Sequence, residues 1–243
     1  MLQYHAVILA SGKGSRLGAL TANKPKCLLS LGSETIIERQ IRLLQDSGVS
    51  RITMIVGYRR DVLAAQLGER VRMVVNDRYA TTGNIVSLWK ACDSLSDNTL
   101  ILNSDIIYER GILEAVMAST SPWACAIDSA RCRSGHIRMV IEGGRPTNTG
   151  GHVPPAHSQA AFLGVGLVRS DGIDAFREAT ERCVQRSLQL GWSKAFLSVA
   201  AAGHDMDLCE YSGPWFDINS VATYRKARSY VAQRAPTDIR AAG

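Results

Sequence analysis

Short apolar runs alternate with amphipathic stretches through the first half of the chain. Ala6–Leu9 (AVIL) is continuously apolar, the pattern of a strand covered on both faces. Glu34–Gln45 carries Ile36, Ile37, Ile41 and Leu44 on one helical stripe, with Ser33 as the expected N-cap and Gly48 as the expected C-terminal cap. Ile52–Val56 predicts a second strand, Asp61–Leu67 a short helix and Val71–Val75 a third strand. Asn84–Leu95 reads as a helix with Ile85, Leu88, Trp89 and Cys92 on one side, and Thr99–Leu102 as a fourth strand ending at Asn103-Ser104-Asp105. Repeated strand–helix–strand units at this spacing predict an α/β fold, a doubly wound, mostly parallel, Rossmann-like sheet.

Beyond about residue 122 the pattern changes. Trp123–Asp128, Ile137–Ile141 and Ala161–Val168 predict strands, and Gly143-Gly144 can turn a hairpin. Thr147–Gln159 is polar and rich in Gly, Pro and His, and is expected to be a surface loop. A helix is expected over Asp171–Ser187, a strand near Leu208–Tyr211, a segment at Trp215–Ile218 and a last helix at Val221–Gln233. With no internal repeat and no long linker, the expectation is one domain over 1–243. Its nucleotide-binding half would be about 1–120, and its acceptor-binding half, about 121–243, a smaller β-rich elaboration.

Composition removes several classes. In 243 residues, 46% hydrophobic and 21% charged, disorder and a disulfide mini-scaffold are disfavoured. The six cysteines form no C-x-x-C pair and read as small core residues. No basic-then-apolar leader opens the sequence and no run approaches the roughly 20 residues of a membrane span, so a cytoplasmic protein is expected. The net charge of +6 calls for an anionic partner. No aromatic-interleaved basic stripe suggests nucleic acid, and no strongly cationic amphipathic helix suggests a membrane surface, except in part the last one.

The charge has a place. Glu34 is the first acidic residue, and Lys13, Arg16, Lys24 and Lys26 precede it. They flank Leu9-Ala-Ser-Gly-Lys-Gly-Ser-Arg-Leu-Gly18, which follows the first strand directly. Glycines at 12, 14 and 18 permit positive φ and close backbone approach, and successive N–H groups make an anion-binding concavity. Leu17 breaks a G-x-G-x-x-G fingerprint, and no P-loop motif occurs. Arg16 offers a bidentate fork and Lys26, stiffened by Pro25, a compact point charge. A tight turn with a solvated basic edge is the alternative.

The run A-V-I-L-A-S-G-K-G-S-R-L-G-A-L-T-A-N-K-P-K-C-L-L resembles the signature of the nucleoside-triphosphate transferase family, L-A-A-G-x-G-x-R-L followed by T-x-x-x-P-K-x-L. Ser11 replaces the second alanine, and Cys27 stands where proline is common. The resemblance implies that Leu9, Ala10, Ser11, Gly12, Lys13 and Gly14 cradle base and phosphates. It makes Arg16 and Lys26 the catalytic cations, which grip the triphosphate and stabilise developing charge. It also implies Mg²⁺ held by Asp105, where Ser104 replaces the glycine of the family's G-D, and by Asp217, with Asn219 where relatives carry an acid. Spacing alone leaves Asp105 open as a helix N-cap and does not show that the two carboxylates meet.

Asn76-Asp-Arg-Tyr-Ala-Thr-Thr-Gly-Asn-Ile-Val-Ser-Leu resembles the N-x-x-Y-x-x-T-N-N-x-x-S-L segment of choline-phosphate and aminophosphonate cytidylyltransferases, with Gly83 in place of the first N of T-N-N. That implies CTP, contacted by Thr82, Asn84, Ser87 and Ser104. A polar loop capping a helix through Asn84 is the alternative. Between Ser129 and His157, Arg131, Arg133, Arg138 and Arg145 stand against Glu142 alone, which favours a small phosphonate or phosphate acceptor with extra negative charge. Arg131, Arg133, Lys194 and Asn219 are the candidate acceptor contacts, and a solvated basic loop is the alternative. Two further readings remain: a sugar- or cyclitol-phosphate transferase using another NTP, and a non-catalytic nucleotide-sensing module. A homodimer stays open.

Overall fold

The computed structural model describes residues 3–132 and 136–234. Eleven strands run in chain order: β1 (Tyr4–Ala10), β2 (Arg51–Val56), β3 (Arg72–Val75), β4 (Asn98–Asn103), β5 (Ile106–Tyr108), β6 (Trp123–Asp128), β7 (Ile137–Glu142), β8 (Arg145–Gly150), β9 (Ala160–Val168), β10 (Asp207–Glu210) and β11 (Trp215–Asp217). The helices are α1 (Ile36–Asp46), α2 (Arg60–Leu67), α3 (Asn84–Ala91), α4 (Gly111–Met117), α5 (Ile173–Arg186), α6 (Ser193–Ala201) and α7 (Val221–Ala232).

The main sheet has the order β10-β6-β9-β4-β1-β2-β3, with the β7–β8 hairpin attached to β9. All neighbours along that path are parallel except β9, which runs antiparallel to both β4 and β6. The expected mostly parallel α/β sheet is therefore present, and strands from both halves of the chain share it. Alternation along β1 shows why its run reads as wholly apolar. Ala6, Ile8 and Ala10 join the core under α1, α2 and α4, whereas Val7 and Leu9 join the core under α3, α5 and α6. A third apolar cluster, with Leu17, Leu29, Ile107, Ile218 and Tyr224, seats α7 against the turns after β1.

Several expectations change. Thr35, not Ser33, caps α1: its hydroxyl accepts from the Glu38 amide and Glu38 accepts from the Thr35 amide, a full capping box. Gly48 sits at φ 84° just past the helix, as expected of a terminator. Trp89 does not face inward. It is 40% exposed and donates through Nε1 to Glu181, and Val86 takes the buried position. The polar 147–159 stretch begins inside β8, because pairing with β7 satisfies its backbone while its side chains stay polar. The α4, α6 and β5 elements have no counterpart among the sequence expectations. Of the six cysteines, all unpaired, Cys27, Cys92, Cys125 and Cys183 are buried, in keeping with a core role. Among the described residues no helix is long and apolar enough to cross a membrane.

Two buried polar residues tie the sheet together. Gln40 on α1 donates to the carbonyls of Asn103 and Ile106, at 3.0 and 2.7 Å, and so fixes the turn that carries Asp105. His5 on β1 lies 2.8 Å from the Thr53 hydroxyl on β2. Burial, reinforced by the Arg51 charge, pushes its pKa from 6.5 down to about 4. Between those values the unfolded chain takes up a proton that the native chain refuses, so His5 makes stability fall as pH drops from about 6.5 to about 4. Urea unfolding at pH 7 and pH 4.5 should show about 2–3 kcal/mol less acid destabilisation in His5→Gln than in the unsubstituted chain. Equal losses in both would refute that assignment.

Candidate active site

Parallel pairing of β1 with β4 sets Leu9 opposite Asn103, so both strands end at the same sheet edge. The Ser104 amide donates to the Leu9 carbonyl at 3.4 Å, bringing the glycine-rich turn beside Ser104-Asp105. A cavity of about 280 Å³ opens there. Of the residues expected to bind nucleotide or act on it, Leu9, Ala10, Ser11, Gly12, Gly14, Arg16, Lys26, Thr82, Asn84, Ser104 and Asp105 all line it. This is the carboxyl edge of an open α/β sheet, where such folds bind ligands.

The turn itself is a left-handed Gly14 at φ 66° followed by a short 3-10 segment, Ser15–Thr21. The Leu17 amide and the Thr21 hydroxyl both donate to the Gly14 carbonyl at 3.0 Å. A Cβ on Gly14 would lie 3.0 Å from Cβ of Lys26, so glycine here both supplies the backbone angle and lets the Lys26–Leu28 turn close in. Gly12 does not use positive φ. Arg16 is exposed and makes no hydrogen bond or ion pair among the described residues, which leaves its fork available.

Two expected nucleotide contacts sit elsewhere. Lys13 does not line the cavity; its ammonium lies 5.8 Å from the centre of the Tyr58 ring. Ser87 is buried behind it, with its Oγ 2.7 Å from that of Ser11 and accepting from the Asn76 side chain. It holds the turn from within α3. Tyr79, Gly83 and Asn103 line the cavity without having been singled out, although all three fall inside the segments that carried the resemblance.

The acidic part of the site depends on a second, two-stranded sheet. β11 pairs antiparallel with β5, placing Asp217 opposite Ile106, and the Ile218 amide donates to the Asp105 carbonyl at 3.0 Å. Asp105 and Asp217 therefore meet. Lys26 closes the group: Nζ donates to the Ile218 carbonyl at 2.8 Å and forms an ion pair with Asp105. Burial, and next the Asp105 charge, push the Asp217 pKa up to about 7, while Lys26, Arg16 and a hydrogen bond from Asn219 pull the other way. Asp105 lines the cavity and Asp217 lies behind it, and the two carboxylates sit together with too little positive charge to keep both comfortably ionised. That donor set fits one divalent cation of the Mg²⁺ type, which takes one or two carboxylates and completes its shell with phosphate oxygens and water.

The acceptor candidates scatter. Asn219 stands beside Asp217 at 3.4 Å. Arg131 is spent on structure: its Nε donates 2.6 Å to buried Asp128, its Nη2 donates to the Ser212 and Gly213 carbonyls, and it lies over the Trp215 ring. Asp128 also accepts from Trp215 Nε1 at 2.7 Å, so this pair anchors the start of β11. Burial raises the Asp128 pKa, but the Trp215 and Arg131 hydrogen bonds outweigh it and hold the carboxyl below its usual range. Arg133 lies outside the described residues. Arg138 donates to the Gly151 and Val153 carbonyls, and Arg145 pairs with Asp205. Among the described residues, Arg131, Arg138 and Arg145 are thus each engaged by partners within the protein. Lys194 lines a different cavity.

A strap formed by residues 187–192 presses on the nucleotide loop from the second half of the chain. Gly83 N donates to Leu188 O at 2.7 Å, Ile85 N to Leu190 O at 3.1 Å, and Trp192 N to Asn84 Oδ1 at 2.8 Å. Trp192 Nε1 also donates to Asn103 Oδ1 at 2.7 Å. Asn84 therefore does not cap α3 with its side chain; Gly83 occupies the cap position. A Cβ on Gly83 would fall 2.3 Å from the Leu190 carbonyl oxygen, which explains glycine where the resembling segment carries Asn. Gly83→Asn should push the strap away, lowering stability by about 1–3 kcal/mol in urea unfolding and altering Trp192 fluorescence. Unchanged stability and emission would show that the strap yields freely.

Comparison with known proteins agrees with this geometry. A model of the MobA-like NTP transferase domain matches residues 6–199. The chain is 25% identical over 239 residues to the CMP-5'-(3-aminopropyl)phosphonate synthase of Streptomyces rubellomurinus, covering 91% of this chain and 38% of that protein. It is 39% identical over 103 residues to the choline-phosphate cytidylyltransferase of Streptococcus pneumoniae, covering 41% of this chain and 44% of that protein. The chain thus spans less than half the length of either relative. The solved structure of the CTP:phosphocholine cytidylyltransferase from Streptococcus pneumoniae superimposes with a TM-score of 0.75 at 23% identity, over 95% of this chain and all of that one, and shares its fold. A glycine-rich cavity at the sheet edge, an acid pair beside it and a family match through most of the sequence lead to one conclusion: the chain belongs to the MobA-like NTP transferase domain family.

Proposed function

We propose that the chain is a Mg²⁺-dependent cytidylyltransferase that moves CMP from CTP onto a small phosphonate or phosphate acceptor and releases pyrophosphate. The observation that carries nucleotidyl transfer is the convergence of Lys26, Asp105 and Asp217, the first two of which line the cavity built on the glycine-rich turn. The choice of CTP and of a phosphonate or phosphate acceptor is supported by the names of the two relatives above.

In this reading the backbone from Leu9 to Gly14 holds the nucleotide, with Ser87 bracing Ser11 from behind. An acceptor oxygen attacks the α-phosphorus in line, its bond forms as the bond to pyrophosphate breaks, and the pair of electrons leaves with pyrophosphate. The acceptor is already ionised, so no general base is needed. Rate enhancement then comes from position and charge. Arg16 offers two parallel donors to the triphosphate, and Lys26 supplies a fixed positive charge beside the reacting phosphate. A divalent cation held by Asp105 and Asp217, with Asn219 alongside, would neutralise phosphate oxygens. Ser104 and Asn84 both line the cavity and in this reading would meet the base and sugar.

A matrix of the four common NTPs against choline phosphate, aminoalkylphosphonates and sugar 1-phosphates, read by pyrophosphate release, tests the whole reading. CTP with a phosphonate or phosphocholine should stand out. Preference for UTP or dTTP with a sugar phosphate would replace the cytidylyl assignment, and no release with any pair would favour a nucleotide-sensing module. Lys26→Ala should lower kcat by about 10²-fold or more with the fold retained in circular dichroism, a loss of the size expected for one preorganised charge. Asp105→Asn should abolish the dependence of rate on added Mg²⁺; a metal titration like that of the unsubstituted protein would remove Asp105 from the site.

A further inference from the structure

A second cavity, of about 540 Å³, lies beyond the strap, between β8, the end of α5 and α6. None of its lining residues lines the glycine-rich cavity. Arg182 and Arg186 enter it from successive turns of α5, Lys194 from the first turn of α6, and His152 from the loop after β8. No carboxylate lines it. The nearest acid to Arg182 is Glu178, at 3.7 Å with both side chains largely in solvent. Arg186 makes no hydrogen bond or ion pair among the described residues. Lys194 donates 2.9 Å to the amide oxygen of Asn148, a neutral partner.

Arg182 and Arg186 lie one turn apart on α5 and repel, and only Arg182 has a carboxylate beside it, so the cluster is a cost to the fold. Burial, and next the Arg186 charge, lower the Lys194 pKa, a sign of the same crowding. Leu190, Leu197 and Ala201 give the wall an apolar part, beside the neutral polar side chains of Thr147, Asn148 and Ser198. Guanidinium and ammonium groups lining a small-molecule-sized cavity together with the aliphatic side chains of Leu190 and Leu197 match a tetrahedral dianion carried on a short carbon chain.

We propose that this cavity is an effector site for a small phosphoryl- or phosphonyl-bearing anion, separate from the reaction centre. The proposal does not rest on the nucleotidyl-transfer reading. The strap gives it a route to the nucleotide loop. Leu190 forms part of the cavity wall, and its carbonyl accepts from Ile85 N. Trp192, two residues before Lys194, donates to Asn84. An anion drawing Arg186 and Lys194 together bears on the segment that positions Gly83 and Asn84.

Calorimetric titration of the full chain with inorganic phosphate and with phosphonoacetate tests this, in an Arg16→Gln background that weakens anion binding at the glycine-rich turn. Saturable binding of one equivalent is expected to persist there. Arg186→Gln or Lys194→Gln, added to that background, should weaken it at least tenfold without changing the melting temperature in phosphate-free buffer. Arg186 is exposed, so its variant keeps the test open if the Lys194 variant folds poorly. Inorganic phosphate that binds as well as phosphonoacetate would mean that the tetrahedral group alone is read. Stronger binding of phosphonoacetate would mean that the attached chain is read too, and either outcome supports the site. Binding unaffected by both substitutions, or already lost with Arg16→Gln alone, would overturn the proposal. A tenfold rise in acceptor KM for Arg186→Gln, measured without phosphate, would also overturn it by making this the reaction's acceptor subsite. Absence of turnover with every NTP, while phosphate still binds, would defeat the proposed function and leave the effector site standing.

Discussion

Two carboxylates from distant parts of the chain are forced together at the edge of a hydrophobic sheet, and the remainder of the site is arranged around that repulsion. Asp105 sits in a turn fixed by Gln40, and Asp217 is delivered by the β5–β11 pair. Lys26 offsets part of the charge, but Asp217 still titrates near 7. Such a cluster is uncomfortable alone and becomes favourable when further positive charge arrives between the acids. The fold accepts the strain because three independent supports hold it: the capped α1 that carries Gln40, the Asp128–Trp215–Arg131 anchor at the start of β11, and the apolar cluster under α7.

The first half of this arrangement was legible in the sequence because its physics is local. A continuous apolar run becomes a buried strand, glycine at 14 becomes a left-handed turn, and two of the early basic residues, Arg16 and Lys26, line the cavity at the sheet edge. Asp105 could be placed at the sheet edge because it follows a strand directly. Its meeting with Asp217 could not be read, because the three-residue β5 strand is too short to announce itself and the contact joins remote segments. Ser87 was selected through resemblance, and the structure gives it a bracing position that no spacing argument supplies.

The second half misled where charge counting replaced pairing. Four arginines against one acid looked like a site for an extra anion. Yet Asp128, Asp205 and a set of loop carbonyls, most of them outside the counted window, absorb three of them. Net charge of a segment says little when partners arrive from elsewhere in the fold, and a buried arginine such as Arg138 is more often a scaffold for carbonyls than a free cation. Arg186 and Lys194, at the end of α5 and the start of α6, have no carboxylate partner among the described residues, and of the two the sequence pattern marked only Lys194.

That redistribution bears on how the two halves work together. The nucleotide loop is not a free-standing motif of the first half: the strap sets the backbone of Gly83 and Ile85 and the side chain of Asn84. The glycine at 83 is the trace of this contact, since any side chain there would occupy the space of the Leu190 carbonyl. A nucleotide edge read by Thr82–Asn84 would therefore be read through the packing of α5 against α6 as much as through those residues themselves. Changes in the second half that shift the strap would move Gly83, Asn84 and Ile85 without touching the glycine-rich turn, and the acid pair, supported separately by β11, would be left in place.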